Sequence, residues 1–407
     1  MNLPVPEIVR ADAGSAWFWR SDAAPVVSIA WGWPGGSRLD PPGREGEAAF
    51  GADLLTEGAG DLDALAFQEA LRDRAISLDF WVERDWFGGS LRCLVDALPE
   101  AVRLAALALS APRFDGEAVQ RVRARMIAGA RREQEQPRSL SGRAFWDGIS
   151  PGNPIARPTR GTAESLAAAE PRMPARPGPV LAAAAGSVAP ATLAGALDLL
   201  LAGGAPSAPA PELSDPRAFG RAVVHHAASQ SAITFGHGGA GVARAGRDWD
   251  AAQVALRVLG GGGFGARLME AVREQGGLAY GISLGFQPLA GTGLIVGSTA
   301  TANANVPRVL DLVGREWRRM AEGGPTETEV ADSVAAMAGG AMRAFADTRR
   351  AAGALLSARR LGREPGDIAA RPARLRSLTV QEVAAAARAA LDPAALSFAI
   401  AGEPEGL

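Results

Sequence analysis

The chain contains segments whose hydrophobic residues recur at every second position and segments in which they recur every three to four positions. The first spacing is typical of a half-buried strand and the second of an amphipathic helix. Strands are predicted over residues 26–31, 278–286 and 294–301, and helices over residues 47–57, 116–135 and 328–360. Thr326 begins the sequence Thr-Glu-Thr-Glu, which resembles a helix N-cap followed by acidic first-turn residues. This order predicts an α+β fold in which helices cover each sheet.

The order of these patterns occurs twice along the chain. Four segments of the first half resemble segments about 200 residues further on, in the same order: 29–32 and 233–236, 69–73 and 270–274, 162–166 and 379–383, 180–186 and 396–402. Collinear matches favour a duplicated domain over chance. Residues 203–220 are rich in Pro, Ala, Ser and Gly, which is typical of a linker. We therefore expect two homologous domains, residues 1–202 and 221–407, joined by the linker 203–220.

Composition and charge narrow the classes of function. The 407 residues are enough for two domains with a core each, and 47% of them are hydrophobic and 21% charged, as in globular proteins. The net charge of −2 comes from 42 basic and 44 acidic residues without a block of one sign, so nucleic acid is not an expected partner. Cys93 is the single cysteine, which excludes an internal disulfide and a cysteine metal cluster.

No membrane span is expected from the sequence. The most apolar stretch, residues 180–202, contains Gly186, Pro190 and Asp198 and fits a strand, a turn and a helix better. The first residues show neither the basic n-region nor the apolar h-region of a secretory signal. The expected location is therefore the cytoplasm, or the periplasm if a leader has been removed.

Tyr280 is the only tyrosine in the chain. It follows Arg273 by seven residues, and the pair Gly276-Gly277 between them is predicted to end a helix. Arg273 is then near the helix end and Tyr280 on the following strand. A phenol and a guanidinium both donate hydrogen bonds and keep their donors at neutral pH. Together they can hold a polarised carbonyl oxygen.

The order of motifs around these residues resembles that of the M16 metallopeptidases, the pitrilysin-like or insulinase-like inverted zincins, and in particular the short two-domain M16B members that work as dimers. In the second half, the resemblance rests on Arg247-Asp248, on residues 259–268 (LGGGGFGARL), and on Val272-Arg273-Glu274 followed by Gly277-Leu278-Ala279-Tyr280. In the first half it rests on Gly35-Gly36-Ser37-Arg38, Pro41-Pro42-Gly43 and Glu45-Gly46. The resemblance implies two LuxS/metallopeptidase-like domains, each a mainly antiparallel sheet covered by helices, arranged as a clam shell.

The zinc motif of that family is missing here. The family's zinc helix carries His-x-x-Glu-His, in which the histidines bind zinc and the glutamate activates the metal-bound water. The corresponding positions are Ala49 and Asp53 for the histidines and Ala52 for the glutamate. The family's third ligand, a downstream glutamate, falls near Ala130. We therefore expect no catalytic zinc in this chain.

Other side chains do not replace the lost ligands. Glu133 and Glu135 lie near the third position, but they cannot hold catalytic zinc without the helix pair. His225, His226 and His237 lie in the second half with no carboxylate at zincin spacing. The adjacent histidines 225 and 226 are more typical of a strand end or a surface.

The resemblance assigns a role to the residues that remain. In the family, an arginine and a tyrosine of the second domain bind the carbonyl oxygens of the peptide, including the one that becomes the oxyanion, and Arg273 and Tyr280 match those positions. This implies a chain that is inactive alone and has no cofactor of its own. Paired with a zinc-binding M16 paralogue, it would form a heterodimeric metalloendopeptidase that acts on a peptide substrate, with zinc held by the partner.

The glycine run before Arg273 has two interpretations. By analogy with the noncatalytic subunit of the mitochondrial processing peptidase, Gly261, Gly262, Gly263 and Phe264 form a loop that contacts the peptide. Glycines after a helix also make a C-cap and a tight turn. Arg273 itself has a counterpart in the first half, Arg72, with no tyrosine after it, so this arginine can instead be a residue of the fold.

Two further alternatives concern larger features. Trp17, Trp19, Trp31 and Trp33 alternate in two strand-like runs, which places them on a sheet face in the core or at an interface. The whole chain can also be a structural subunit, like the core proteins of the respiratory bc1 complex, or a chaperone-like homodimer that binds peptides without cutting them.

Overall fold

In the computed structural model, which describes residues 5–202, 215–238, 245–289 and 292–407, the chain forms two β-sheets, each with helices packed on it. The strands are β1 (Glu7–Ala11), β2 (Gly14–Arg20), β3 (Val26–Pro34), β4 (Ser77–Val82), β5 (Trp86–Leu94), β6 (Leu181–Gly186), β7 (Arg221–His225), β8 (Gln230–Gly238), β9 (Ile282–Leu289), β10 (Thr292–Ala302) and β11 (Ser397–Gly402). The helices are α1 (Glu47–Leu54), α2 (Ala64–Asp73), α3 (Leu98–Ser110), α4 (Gly116–Gln134), α5 (Pro137–Ile149), α6 (Ala163–Ala168), α7 (Pro190–Leu201), α8 (Gly246–Leu256), α9 (Arg267–Met269), α10 (Val306–Gly323), α11 (Glu327–Ala344), α12 (Thr348–Arg360), α13 (Pro365–Arg376) and α14 (Val380–Ala390). None of these helices is long and apolar enough to cross a membrane.

The five strands of the second sheet match five of the six strands of the first, and β1 has no counterpart. The first has the order β1-β2-β6-β3-β5-β4 and the second β7-β11-β8-β10-β9. Each contains one parallel pair, β2 with β6 and β7 with β11, and the remaining pairs are antiparallel. Strands β3 and β6 therefore correspond to β8 and β11, whose sequences they resemble. The predicted α+β class with helix-covered sheets is confirmed, and each mainly antiparallel sheet is mixed through its one parallel pair.

Two compact units contain these sheets. The first comprises the described residues of Met1–Arg131, Arg157–Pro211 and Met342–Ala369, and the second those of Arg132–Ala156, Glu212–Ala341 and Ala370–Leu407. Each unit thus takes a piece from the other half of the chain, including α5 in the second unit and α12 in the first. The predicted linker lies outside the described residues over 203–214, and the domain limits 1–202 and 221–407 stay a prediction.

In the first unit, large side chains fill one face of the sheet. Trp31 and Trp33 of β3 lie in this core with helices α3 and α7, and Trp33 stacks on Phe87 with ring centroids 5.6 Å apart. On the other face, Trp19 packs edge-on against Phe345 at 5.1 Å. These tryptophans pack within the first unit, so the interpretation as core residues is the one that the structure supports.

Small residues on the opposite face of the first sheet allow α12 to lie close to it. The run LAAAAG of β6 supplies alanines there, and Ser28 Oγ lies 2.9 Å from Thr348 Oγ1. At the other end of α12, Arg359 Nη1 donates to the backbone oxygens of Ser15 and Ala182, each at 2.6 Å. The first sheet is therefore covered by a helix that comes from the second half of the sequence.

In the second unit, α5 covers one face of the sheet and the main core fills the other. Ser141 Oγ of α5 lies 3.0 Å from Thr234 Oγ1 of β8. Across the sheet, Trp317 is fully buried with its ring edge-on to Phe235 at 6.3 Å. A second feature of this unit is Asp250, which is fully buried and bound by two arginines: Arg371 Nε donates to it at 2.7 Å and Arg374 Nε at 2.6 Å.

Local signals account for most helix ends. Thr326 caps α11 as predicted, because its Oγ1 accepts the N–H of Glu329 at 3.3 Å while the Glu329 carboxylate accepts the N–H of Thr326 at 2.7 Å. The single helix predicted over 328–360 is wrong. It breaks between α11 and α12, where Asp347 caps the second helix by accepting the N–H of Arg350 at 3.0 Å.

Candidate functional site

The predicted site residues lie on one irregular segment between α8 and β9. Residues Arg257–Gly261 and Glu270–Glu274 form wide π-helical turns, of the kind that often occur at functional sites. The second turn ends as predicted at the glycine pair, because Gly277 has φ 61°, a left-handed conformation that favours glycine. The predicted strand start at 278 is wrong. Tyr280 lies in a bend two residues before β9 begins at Ile282.

Two buried threonines of β10 hold the backbone on either side of Tyr280. Thr301 Oγ1 donates to the carbonyl of Leu278 at 2.6 Å, and Thr299 Oγ1 donates to the carbonyl of Gly281 at 2.8 Å. Leu278 and Ile282 point into the core, while Tyr280 is 90% exposed. The sequence analysis did not identify these threonines. Their signal was the pattern Thr-Ala-Thr at alternate positions of a predicted strand, with hydroxyls where a core face needs apolar groups.

Arg273 lies between two exposed aromatic rings. Its guanidinium carbon is 4.6 Å from the ring centroid of Phe264 and 5.2 Å from that of Tyr280. Phe264 is 71% exposed. A guanidinium over an aromatic face is attracted by about 0.5–1 kcal/mol at an exposed site. The structure therefore brings Arg273, Tyr280 and Phe264 together in one cluster, which we call the aromatic–arginine cluster.

The donors of this cluster are open to a ligand. Within the described ranges, the Arg273 guanidinium makes no hydrogen bond, and its nearest carboxylate is that of its neighbour Glu274, at 3.7 Å from Nε to Oε1. The Tyr280 hydroxyl likewise makes no hydrogen bond to a described residue. A phenol and a guanidinium with unused N–H and O–H groups can donate to the carbonyl oxygens of a bound peptide. Their predicted catalytic role stays a prediction.

The structure gives packing and turn reasons for the glycines at residues 260–263. The sequence alone could not tell these reasons from a role in peptide binding. A Cβ on Gly260 would lie 2.7 Å from the Cβ of Leu284, and one on Gly262 would lie 2.8 Å from the backbone oxygen of Arg257. These glycines are needed for close packing under the segment. Gly263 has φ 68° and no neighbour near its missing Cβ, so it turns the chain toward Phe264. Peptide contact by residues 261–264 stays a prediction.

Hydrocarbon fills the positions of the lost zinc motif. Ala49 and Ala52 lie buried on α1. Ala49 belongs to one apolar cluster with Phe50, Met126 and Ala130, the last of which stands near the third ligand position. Such a cluster offers no imidazole nitrogen or carboxylate oxygen, the groups with which the family's motif holds zinc.

Asp53, at the last position of the motif, is bound by arginines. Nη2 of Arg160 lies 2.7 Å from its Oδ2 and Nη2 of Arg125 lies 3.5 Å from it. In the part of the chain that the structure describes, no three His, Cys, Asp or Glu side chains gather as metal ligands. His237 is buried, and burial lowers the pKa of its ring, so the imidazole stays neutral at pH 7.

The start of α1 retains a buried carboxylate. Asp40 accepts the backbone N–H of Gly46 at 2.8 Å and that of Ala48 at 2.9 Å. Burial raises the pKa of Asp40 to about 6, and the negative charge of the nearby Glu47 adds to the effect. This group stabilises the entry to the helix, and its charge changes within a mildly acidic range.

A cavity of about 620 Å³ borders Tyr280 in the second unit. Its walls come from the first turn of α5, the ends of β8 and β10, and the segment that leads into β9. Small side chains such as Ala232, Ala300 and Ala302 form much of its floor. The cavity therefore lies on the part of the sheet face that α5 leaves uncovered.

Comparisons with known proteins agree with this fold. Residues 189–337 match the family model Peptidase M16 inactive domain. The chain is also 26% identical over 324 residues to the Non-peptidase homolog YmxG of Helicobacter pylori (strain ATCC 700392 / 26695), which covers 76% of this chain and 73% of that protein. Residues 189–337 are thus similar to the M16 inactive domain. The chain as a whole is similar in fold and sequence to M16-like proteins.

Solved structures extend the likeness in fold to nearly the whole chain. The crystal structure of the peptidase M16 inactive domain from Pseudomonas fluorescens superposes with a TM-score of 0.88 at 23% identity, covering 98% of each chain. The crystal structure of a protease from Helicobacter pylori superposes with a TM-score of 0.86 at 14% identity, covering 98% of this chain and 100% of that one. At these identities the likeness concerns the fold.

Proposed function

We propose that this chain is the zinc-free subunit of a heterodimeric M16 metalloendopeptidase. It lends Arg273 and Tyr280 to an active site whose zinc, zinc ligands and general base belong to a zinc-binding M16 paralogue. The two donors bind the carbonyl oxygens of the peptide substrate and stabilise the oxyanion that forms when the zinc-bound water attacks. Alone, the chain has no route to hydrolysis by this mechanism, because its own motif positions hold Ala49, Ala52 and Asp53.

The observation that carries the proposal is the aromatic–arginine cluster. Tyr280, the sole tyrosine of the chain, lies beside Arg273 and is 90% exposed. A side chain with that exposure contributes little to the core, so its position favours a role in binding. The backbone on either side of it is fixed by buried hydroxyls, so the point from which the Tyr280 side chain extends is set before a ligand arrives. The match to the M16 inactive domain over 189–337 includes both residues.

The test is reconstitution with a zinc-motif M16 homologue of similar length encoded by the same genome. We expect the mixture to cleave an unstructured peptide much faster than the homologue alone. Arg273→Ala should lower this stimulation by about 10²-fold, the typical effect of losing one oxyanion donor. Arg72→Ala is the matched control, because Arg72 is the counterpart of Arg273 in the first half and no tyrosine follows it.

The outcomes separate the proposal from its alternatives. Equal stimulation by the Arg273→Ala and Arg72→Ala variants would contradict the assigned role. A stable complex with no rise in rate would favour a structural subunit. Peptide affinity of the purified chain without any partner, combined with no rise in rate, would favour a peptide-binding protein.

A further inference from the structure

The cavity beside Tyr280 carries a single charge. Arg138, in the first turn of α5, is the only charged side chain among the residues that line it. Arg138 is exposed, and its guanidinium takes part in none of the ion pairs or hydrogen bonds among the described residues. An arginine without a counter-ion in a concave wall gives the cavity a positive potential that attracts an anion.

The rest of the lining fits a short piece of main chain. The floor is made of alanines on β8 and β10, which leave room above the sheet. Polar groups stand among them: Ser283 Oγ and Ser298 Oγ lie 3.3 Å apart, and the side chains of Gln230 and Asn305 also face the cavity. The volume of about 620 Å³ is within the range of roughly 300–1,000 Å³ typical of ligand pockets. This lining has an apolar floor, neutral polar groups and one cation. It therefore suits a peptide segment better than a polyanion, which would need several cations.

We infer that this cavity binds a carboxylate of an extended peptide, with Arg138 as the residue that pairs with it. The planar guanidinium fork matches a carboxylate with two parallel hydrogen bonds. The inference rests on the proposed function, because Tyr280 borders the cavity and would hold a carbonyl of the same peptide. It adds a preference in the substrate: an acidic side chain or a free C-terminus near the residue whose carbonyl Tyr280 binds.

The experiment measures binding of fluorescent eight-residue peptides to the full-length chain at low ionic strength. One peptide carries a glutamate and an amidated C-terminus, the second has no acidic residue but a free C-terminal carboxylate, and the third is neutral and amidated. We expect one of the two carboxylate peptides to bind about fivefold more tightly than the neutral one, as for a favourable solvent-exposed ion pair. If the glutamate peptide binds more tightly, the cavity takes an acidic side chain. If the peptide with the free C-terminus binds more tightly, it takes a C-terminal carboxylate. Added salt should reduce the preference.

Two variants of the same helix provide the comparison. Arg138→Gln should abolish the preference for the carboxylate peptide and leave the affinity for the neutral peptide unchanged. Arg143→Gln removes the same charge from an exposed position of α5 that does not line the cavity, and it should keep the preference. Ala300→Leu fills the space above the cavity floor and should weaken the binding of all three peptides.

Failure of this inference is distinct from failure of the proposed function. Equal preferences in the Arg138→Gln and Arg143→Gln variants, or no measurable binding of any peptide, would overturn the cavity assignment and leave the reconstitution result untouched. A preference that depends on Arg138 in a chain that stimulates no partner would overturn the proposed function and keep the cavity.

Discussion

The threonines beneath Tyr280 give a prediction whose size follows from the structure. Thr301→Val keeps the shape of the side chain and removes the hydroxyl that donates to the Leu278 carbonyl at 2.6 Å. Thr301 is 1% exposed, so water cannot replace the lost donor. The lost hydrogen bond is worth about 1 kcal/mol and the unsatisfied buried carbonyl adds roughly 1–2 kcal/mol. We expect the second unit to lose about 2–3 kcal/mol of unfolding free energy.

The assay uses the fact that Tyr280 is the only tyrosine. Urea unfolding followed by tryptophan fluorescence reports the loss of stability as a lower midpoint. Incorporation of 3-fluorotyrosine gives one ¹⁹F resonance for the whole chain, at the residue in question. Because Thr301→Val frees the backbone next to Tyr280, this resonance should broaden or split through exchange on the microsecond to millisecond timescale.

A matched control separates this effect from the general cost of removing a hydroxyl. Ser283→Ala removes an exposed hydroxyl of the neighbouring strand, whose contact is the Ser298 hydroxyl at 3.3 Å, and should change stability by less than about 0.5 kcal/mol. A Thr301→Val protein with the wild-type urea midpoint and an unchanged ¹⁹F line shape would refute the view that the two threonines position Tyr280.

Three further predictions concern the stability of the fold. Asp250→Asn leaves two arginines beside a neutral buried group and should lower the unfolding free energy by roughly 3–5 kcal/mol; a loss below about 1 kcal/mol in urea unfolding would contradict the buried ion triad. Gly260→Ala places a Cβ 2.7 Å from that of Leu284 and should lower the unfolding free energy by about 1–3 kcal/mol. In Gly265→Ala the new Cβ meets no neighbour, so the loss should be less than about 1 kcal/mol. Equal urea midpoints for the two variants would refute the packing argument. The pKa of Asp40 is about 6 when folded, above the ordinary 3.8, so the folded state binds more protons between pH 4 and 6 and stability falls as the pH rises through that range. Asp40→Asn should remove that slope, and urea midpoints measured from pH 4 to 7 that fall equally in both proteins would argue against it.

The parts of the fold that the sequence predicted depend on local chemistry. The cap at Thr326, the helix end at Gly277 and the start of β3 at Val26 each follow from a few adjacent residues. The correspondence of β3 with β8 and of β6 with β11 was visible because these strands keep similar apolar patterns. The break before α12 was missed, because helical periodicity continues across it and the cap at Asp347 is one residue in a long run.

The remaining features depend on contacts between distant residues. The packing of α12 on the first sheet joins Ser28 to Thr348, 320 positions apart, and no local pattern indicates it. In the candidate site, the motif identified Arg273 and Tyr280, but the placement of Phe264 against the guanidinium follows from the turn at Gly263. Arg138 lines the cavity because α5, which comes from the first half of the sequence, packs in the second unit. No local pattern in the sequence indicates that packing.

The measurement that tests the central claim most directly is the kcat of the zinc-bearing homologue at saturating concentrations of this chain, wild type against Tyr280→Phe. Tyr280 is exposed and its hydroxyl makes no hydrogen bond to a described residue, so the substitution should leave stability and heterodimer formation within error of wild type. If Tyr280 donates to the oxyanion, kcat falls by about 10²-fold or more. An unchanged kcat in a fully formed heterodimer would contradict the claim that this chain lends a catalytic donor to its partner.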